Sequence, residues 1–414
     1  PILKTGFEIY GPVGGIVALH GRIYVSHRDA EDRGVITALG YDGSHTTIAG
    51  DLPAEGDYGV TDMAVDEHDR LYFGVGTATN SGVIGLDNWS WIKRHRNFSD
   101  SPAVDLKLTG YRGDAPNPEF SPLLGVGDLI VNGPFQPWGI SNLTRIGRND
   151  SPTGAIYSVA VTGGDRRVEA WGLHNPRGLA FDEYGQLYFT DDGMELRGIR
   201  PIADDPDVLY RLVPGRGKDI PWYGWPDYGR NLKPIGDPQF QPPLAMIIGS
   251  GYREAGPLID HIASSLVPPD PLALLKGEFR PQSGAARMDF VPGAGPFREF
   301  RGSVIVALSG DHAPFSTGGL GLKQLTGYKV VQVDPDRGAI TDFVFNTRRI
   351  PASMLPGMSI FNLKPPALER PIDVKFGPDG ALYILDMGRM QDRDGDAHID
   401  PGSGGLFRLV PLQH

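Results

Sequence analysis

Short apolar–x–apolar runs recur along the chain, each followed by a polar turn carrying Asp or Gly and then by Leu or Ile, Tyr and another apolar residue. The pattern occurs as GGIVALHGRIYVSHRD (14–29), VTDMAVDEHDRLYFGVGTATNSG (60–82), GLAFDEYGQLYFTDDG (178–193) and IDVKFGPDGALYILDMG (372–388). A looser copy with a longer turn is ARMDFVPGAGPFREFRGSVIVALSGDH (286–312). Alternating apolar positions, β-branched and aromatic residues, and turns such as PDG predict antiparallel hairpins. Further strand-like runs lie between them: AIYSVAVTG (155–163), DVLYRLVPG (207–215), YKVVQVDPDRG (328–338) and GLFRLVP (405–411). Two inner and two outer strands make a four-stranded blade, and blades in series make a β-propeller. The chain therefore reads as one all-β domain over 1–414, with five clear hairpins and a degenerate sixth expected in 216–280. The segments 83–125 and 216–280, rich in Trp, Tyr, Pro and charge, read as long insertion loops. The same strand spacing permits a pair of sandwiches, but recurrence of one hairpin motif along the chain favours the propeller.

Composition narrows the function classes. The 414 residues are 40% hydrophobic and 21% charged, which describes a globular protein with ample core. The 57 glycines and 37 prolines are spread through the chain, as many short strands joined by turns require. The longest apolar runs, such as SVIVAL (303–308), fall far short of the ~18 residues of a membrane span. A net charge of −11 argues against a nucleic-acid partner, which needs a concentrated basic surface. Zero cysteines exclude disulfides, thiolate zinc sites and cysteine nucleophiles.

A hairpin returns its chain to where it began, so the residues before its first strand and after its second are neighbours. In a propeller these open ends collect around one axis. WGLHNPRGLAFDEYGQLYFTDDG (171–193) places His174, Asn175 and Arg177 before one strand and Asp191 and Asp192 after the next. Other copies contribute Tyr58 and Asp62, Asp311 and His312, and Arg370. Such a polar, mixed-charge set is what a small-molecule site in a channel mouth requires. Two further stretches carry chemistry. QDRDGDAHID (391–400) alternates carboxylates around a glycine, as calcium loops do, but lacks their terminal Glu and reads first as an exposed acidic loop. DNWSWIKRHRNF (87–98) reads as a packed insertion with a solvated basic edge.

WGLHNPRGLAFDEYGQLYFTDDG resembles the GLRNPxGLAFxPxGxLWVTDxG hairpin of the soluble glucose/sorbosone dehydrogenase family. DPDVLYRLVPGRGKDIPWYGWPDY (205–228) is similar to that family's DELNRLxPGxxYGWP, and the last two hairpins resemble its sorbosone branch. The resemblance covers most of 13–411. It implies a six-bladed propeller that uses pyrroloquinoline quinone (PQQ) and calcium to oxidise a sugar, passes electrons to an acceptor protein, and is periplasmic or secreted. In that chemistry the quinone takes a hydride while a histidine takes the hydroxyl proton, and cations hold the cofactor carboxylates.

Carried onto this sequence, the resemblance implies cofactor contacts from Asn175, Arg177, Lys329 and Arg370. It implies calcium at Gly193 and Met194, with Asp192 and Asp311 as further metal candidates. His174 stands where the family has arginine, Tyr58 is nearest the place of its catalytic histidine, and Gln282 replaces a second histidine. His174, Tyr58, Asp62 and His312 are thus the catalytic candidates. Two other readings stay open. One is a cofactor-free hydrolase or lactonase with a divalent ion at Asp62, Asn175, Asp311 and His174. The other is a non-enzymatic propeller that binds a carbohydrate or protein.

Overall fold

The computed structural model describes residues 8–118, 129–215, 219–244, 246, 254–319, 324–356, 367–393 and 396–411. They divide into two compact units. The first comprises 1–176, 194–205 and 213–270, and the second 177–193, 206–212 and 271–414.

The first unit opens with β1 (Gly15–Leu19), β2 (Arg22–Arg28), β3 (Gly34–Gly40) and β4 (His45–Leu52), which pair in sequence order as an antiparallel sheet. The β1–β2 turn shows why this sequence makes a hairpin. His20 and Gly21 are its two central residues, and both have positive φ (47° and 70°), the twist that two-residue hairpin loops need. A second sheet is built from β5 (Val60–Val65), β6 (Arg70–Val75), β11 (Ala155–Ala160) and β12 (Arg167–Trp171). The long excursion between β6 and β11 holds a six-residue helix, Trp89–Arg94, and two small ladders. These pair β7 (Leu106–Lys107) with β10 (Arg145–Ile146), and β8 (Gly113–Pro116) with β9 (Leu129–Asn132). Trp91 lies between the Arg28 and Arg94 guanidiniums, 4.8 and 4.1 Å from its centroid, so the basic aromatic stretch is a packed insertion.

The second unit contains three blade sheets. The first is β13 (Pro176–Phe181), β14 (Leu187–Asp191), β15 (Pro206–Arg211) and β16 (Leu275–Pro281). Next come β17 (Ala285–Phe290), β18 (Val304–Leu308), β19 (Lys329–Asp334) and β20 (Ala339–Phe345). The last joins β21 (Pro371–Phe376) and β22 (Leu382–Asp386) to β25 (Gly405–Leu409). Between β22 and β25, β23 (Met390–Arg393) and β24 (Asp396–Ile399) form their own hairpin. The acidic 391–400 stretch is therefore a strand pair whose tip, 394–395, lies outside the described residues.

These are propeller blades: antiparallel sheets in series, four of four strands and the last of three, with inner strands packing on the neighbouring sheet. Within the units β1 packs on β5, β14 on β17 and β17 on β21. Sheet faces that meet in this way need apolar residues on both sides, which is why LYFTD and VIVAL are buried at every position. Five blade sheets lie among the described residues, one fewer than the six expected. The stretch 216–280 holds no sixth hairpin among its described residues. Its regular strand is most of β16, the outer strand of a blade whose hairpin begins at Pro176. No described helix is long and apolar enough to cross a membrane.

One turn chemistry repeats. Asp29, Asp66 and Asp182 each accept, on Oδ1, the amides two and four residues ahead. Each turn contains a left-handed residue: Asp32, Asp69 or Gly185. The carboxylate satisfies amides that the turn would otherwise leave unpaired, so these aspartates are structural.

Candidate functional site

In the first unit the chain brings one buried arginine among three carboxylates. Arg197 is 5% exposed in its side chain; its Nη2 lies 2.8 Å from Asp57 and its Nη1 2.7 Å from Asp87, while Nε is held by Glu195. Nη2 also donates to the Tyr58 hydroxyl at 3.4 Å. The Tyr58 ring meets His174 edge-on, with centroids 4.9 Å apart. Asn88 donates to Asp57 at 2.6 Å. Burial raises the Asp57 carboxyl to about 7, because the charged form loses its water; Arg197 opposes this, and Asp87 and Glu195 add repulsion. Asp57 therefore holds a proton at mildly acid pH and releases it near neutrality.

Local structure explains the placement. Asn80, 2% exposed, receives the Glu195 amide at 2.7 Å and donates to the Glu195 and Arg197 carbonyls at 2.7 and 3.3 Å. It thereby clamps the Glu195–Arg197 segment against the strand end at β6. Asp100 holds that strand end in turn, taking the Ala78 amide at 2.7 Å and the Thr79 and Thr153 hydroxyls at 2.5 and 2.9 Å. Burial raises Asp100 to about 6 against the pull of these donors. Gly76 is a point of close approach. A Cβ there would lie 2.3 Å from the Tyr58 Cβ and 3.0 Å from the Asn175 Oδ1. Tyr58 and Asn175 are thus packed against a position that only glycine can fill.

Two more expected residues of this unit, Asp62 and Met194, are buried. Asp62 is buried within β5, its carboxylate beside the Gly15 backbone. Met194 is 1% exposed in the apolar core, and its amide donates to Asp205 at 2.8 Å.

The second unit gathers a different set. Arg370 donates to the Ser309 carbonyl at 3.0 Å and to the Tyr328 hydroxyl at 3.3 Å, with its guanidinium 5.0 Å from the Tyr328 ring centroid. The Tyr328 hydroxyl donates to Asp311 at 2.7 Å. Asp311 also takes the Ala313 amide at 3.0 Å. Arg177 pairs with Asp192 at 3.5 Å. Lys329 pairs with Asp342 at 2.5 Å, on the outermost strand of its blade. The Gly193 amide donates to Asp207 at 2.9 Å; burial raises Asp207 to about 6 despite that bond and one from the Ala285 amide. His312 is half-buried, its carbonyl accepting the Ser316 amide.

The structure thus unites Tyr58, His174 and Asn175 in one unit, and Asp311 and Arg370 in the other through Tyr328. Among the described residues no three His, Cys, Asp or Glu side chains converge as a metal-ion set. Sequence reasoning missed Asp57, Asp87, Glu195 and Arg197. Asp57 adjoins Tyr58, a signal that was available. The others come from segments 30 and 138 residues away, which no local pattern joins to it.

No family model matches the sequence, and no curated protein does. Among solved structures the chain is similar to the holo form of the pyranose dehydrogenase PQQ domain from Coprinopsis cinerea: 13% identity over 89% of this chain and 78% of that chain, TM-score 0.47. A calcium structure of a carbohydrate-active enzyme of family AA12 from Trichoderma reesei shares 12% identity over 89% and 77%, also with TM-score 0.47. The PQQ-bound form of aldose sugar dehydrogenase from Streptomyces coelicolor shares 15% over 96% and 95%, with TM-score 0.34. All three TM-scores lie below 0.5, so the blade assignment rests on the strand pairing above and function on this chain's own residues.

Proposed function

We propose that the chain is an enzyme acting on a neutral polyhydroxylated substrate, a sugar or its lactone, with the Asp57 carboxyl as its proton-transfer group. The carrying observation is Asp57 itself. It is a carboxyl raised to about 7, joined through one Arg197 nitrogen to the hydroxyl of Tyr58, whose ring meets His174 edge-on. A group that gains and loses its proton near neutral pH suits general acid–base work. Carboxylate acceptors and the Asn175 amide together match the donors and acceptors of a polyol, and the Tyr58 ring offers an apolar face. Activation of water at a lactone carbonyl is the reaction this supports best: Asp57 takes a proton from the water as its oxygen bonds to the carbonyl carbon, the ring C–O bond breaks, and the proton passes from Asp57 to the departing alkoxide, while Arg197 and Asn88 hold the carboxyl in place. The fold of five described blades is extended in this reading to the six-bladed form, as a single domain.

The motif run from Trp171 to Gly193 favours a second reading, PQQ-dependent sugar oxidation with calcium, in the periplasm or outside the cell. The residues as they stand do not fit the cofactor. Lys329 shares Asp342 with Arg349 on the outer strand pair of its blade, Arg177 pairs with Asp192, and Arg370 donates to Ser309 and Tyr328. Arg197 faces three carboxylates, so the first-unit cluster repels a tricarboxylate.

Purified chain assayed on aldonolactones, with and without added divalent ions, tests the first reading. Hydrolysis that follows a pH profile with a limb near 7, abolished in Asp57→Asn, supports it. Absence of hydrolysis, together with dye-linked aldose oxidation that appears only after PQQ and calcium are added, would establish the second reading and sink the first.

A further inference from the structure

We propose that the second unit carries a separate binding site for a small organic carboxylate, in the groove between β16 and the β19–β20 pair. A cavity of about 380 Å³ opens there, at the small end of the range for ligand sites. Its lining includes the apolar Val331, Ile340 and Phe345 and the cationic Arg280, Lys329 and Arg349.

The charges do not cancel. Lys329 and Arg349 both bind the one Asp342 carboxylate, and Glu278 is the other acidic side chain of the lining. Three cations therefore face two carboxylates, in a chain whose net charge is −11. Lys329 feels the surplus: burial, then Arg349 and Arg280, lowers its pKa. An anion entering the groove relieves that repulsion.

Tyr328 and Arg349 are non-glycine residues in the left-handed region, with φ of 58° and 57°. Arg349 is held so by its amide, which donates to the Asn346 carbonyl at 2.7 Å. That conformation swings the guanidinium over Phe345, 4.6 Å from the ring centroid. Thr326 secures the neighbouring wall, its hydroxyl donating to the Pro281 and Gln282 carbonyls. A guanidinium stacked over an apolar ring suits a planar acid, whose carboxylate meets the cations while its body covers Ile340 and Phe345.

Titration calorimetry with 4-hydroxybenzoate, on the whole chain at low salt, tests this. The expected result is saturable one-to-one binding, at least tenfold weaker for 4-hydroxybenzamide and at least tenfold weaker in Arg349→Gln. Lys329→Gln weakens binding to a similar extent, and thermal unfolding checks that both variants fold. Asp57→Asn binds the probe like the parent chain, which keeps this site distinct from the catalytic proposal. Equal affinity for acid and amide, absence of binding, or unchanged affinity in both variants overturns the proposal. Complete displacement of the probe by equimolar inorganic phosphate overturns its organic character.

Discussion

Arg197 Nη2 touches Asp57 at 2.8 Å and the Tyr58 hydroxyl at 3.4 Å, so one guanidinium nitrogen joins the titrating carboxyl to the aromatic wall of the site. The carboxyl stays near 7 in spite of this cation, because burial outweighs a counter-ion shared with Asp87 and Glu195. Replacing Asp57 by Asn removes the titration while keeping the shape. Lactone hydrolysis is expected to fall at least a hundredfold and to lose its inflection near pH 7, as read from steady-state rates between pH 5 and 9.

Stability carries the same signature. Asp57 and Asp100 have folded values of about 7 and about 6, above 3.8 in the unfolded chain. Between these values the folded state binds more protons than the unfolded one, so stability falls as the pH rises through the window. Urea unfolding is expected to give a chain more stable at pH 5 than at pH 8 from these groups, by roughly 1–3 kcal/mol. The slope should be shallower in Asp57→Asn. A slope of the opposite sign that Asp57→Asn leaves unchanged would place the titration elsewhere.

Arg197 is the counter-ion for three carboxylates and is 5% exposed. Arg197→Met leaves them uncompensated and is expected to cost about 3–5 kcal/mol. Arg197→Lys should recover part of the loss, since it restores charge without the fork that reaches three partners at once. Chemical denaturation of the two variants side by side measures the difference.

Gly76→Ala separates site order from charge. The added methyl meets the Tyr58 Cβ at 2.3 Å and the Asn175 Oδ1 at 3.0 Å, so one or both must move. Activity is expected to fall by tenfold or more, with the pH inflection of Asp57 retained. Loss of the inflection instead would show that the methyl disturbs the Asp57–Arg197 pair.

In the second unit Tyr328→Phe deletes the hydroxyl that donates to Asp311 and accepts from Arg370. The buried carboxylate loses a donor, and the expected cost is about 1–3 kcal/mol in thermal or urea unfolding. A neutral result would mean that water replaces the phenol there.

Hairpins, blade strands and insertions were legible from the chain because period-two alternation and turn chemistry are local. His20-Gly21 writes a positive-φ turn, and Asp66 and Asp182 tie down amides only two and four residues ahead. Tyr58, His174 and Asn175 were legible for a related reason, since a hairpin returns its polar ends to one place. The count of blades was less so: 216–280 has the Pro and Gly of a degenerate hairpin, yet it contributes most of β16 to a blade begun a hundred residues earlier.

The sequence by itself determined that this is an all-β chain of repeated four-stranded blades, since each hairpin is specified by residues within reach of one another. Only the tertiary structure decided which charges meet. Asp57, Asp87, Glu195 and Arg197 lie on segments that the strands carry together, and the Lys329–Asp342–Arg349 group forms across a hairpin and the turn beyond it. Whether a carboxyl is a surface charge or a proton store depends on the water it loses and the neighbours it gains. Those are properties of packing, and no spacing along the chain encodes them.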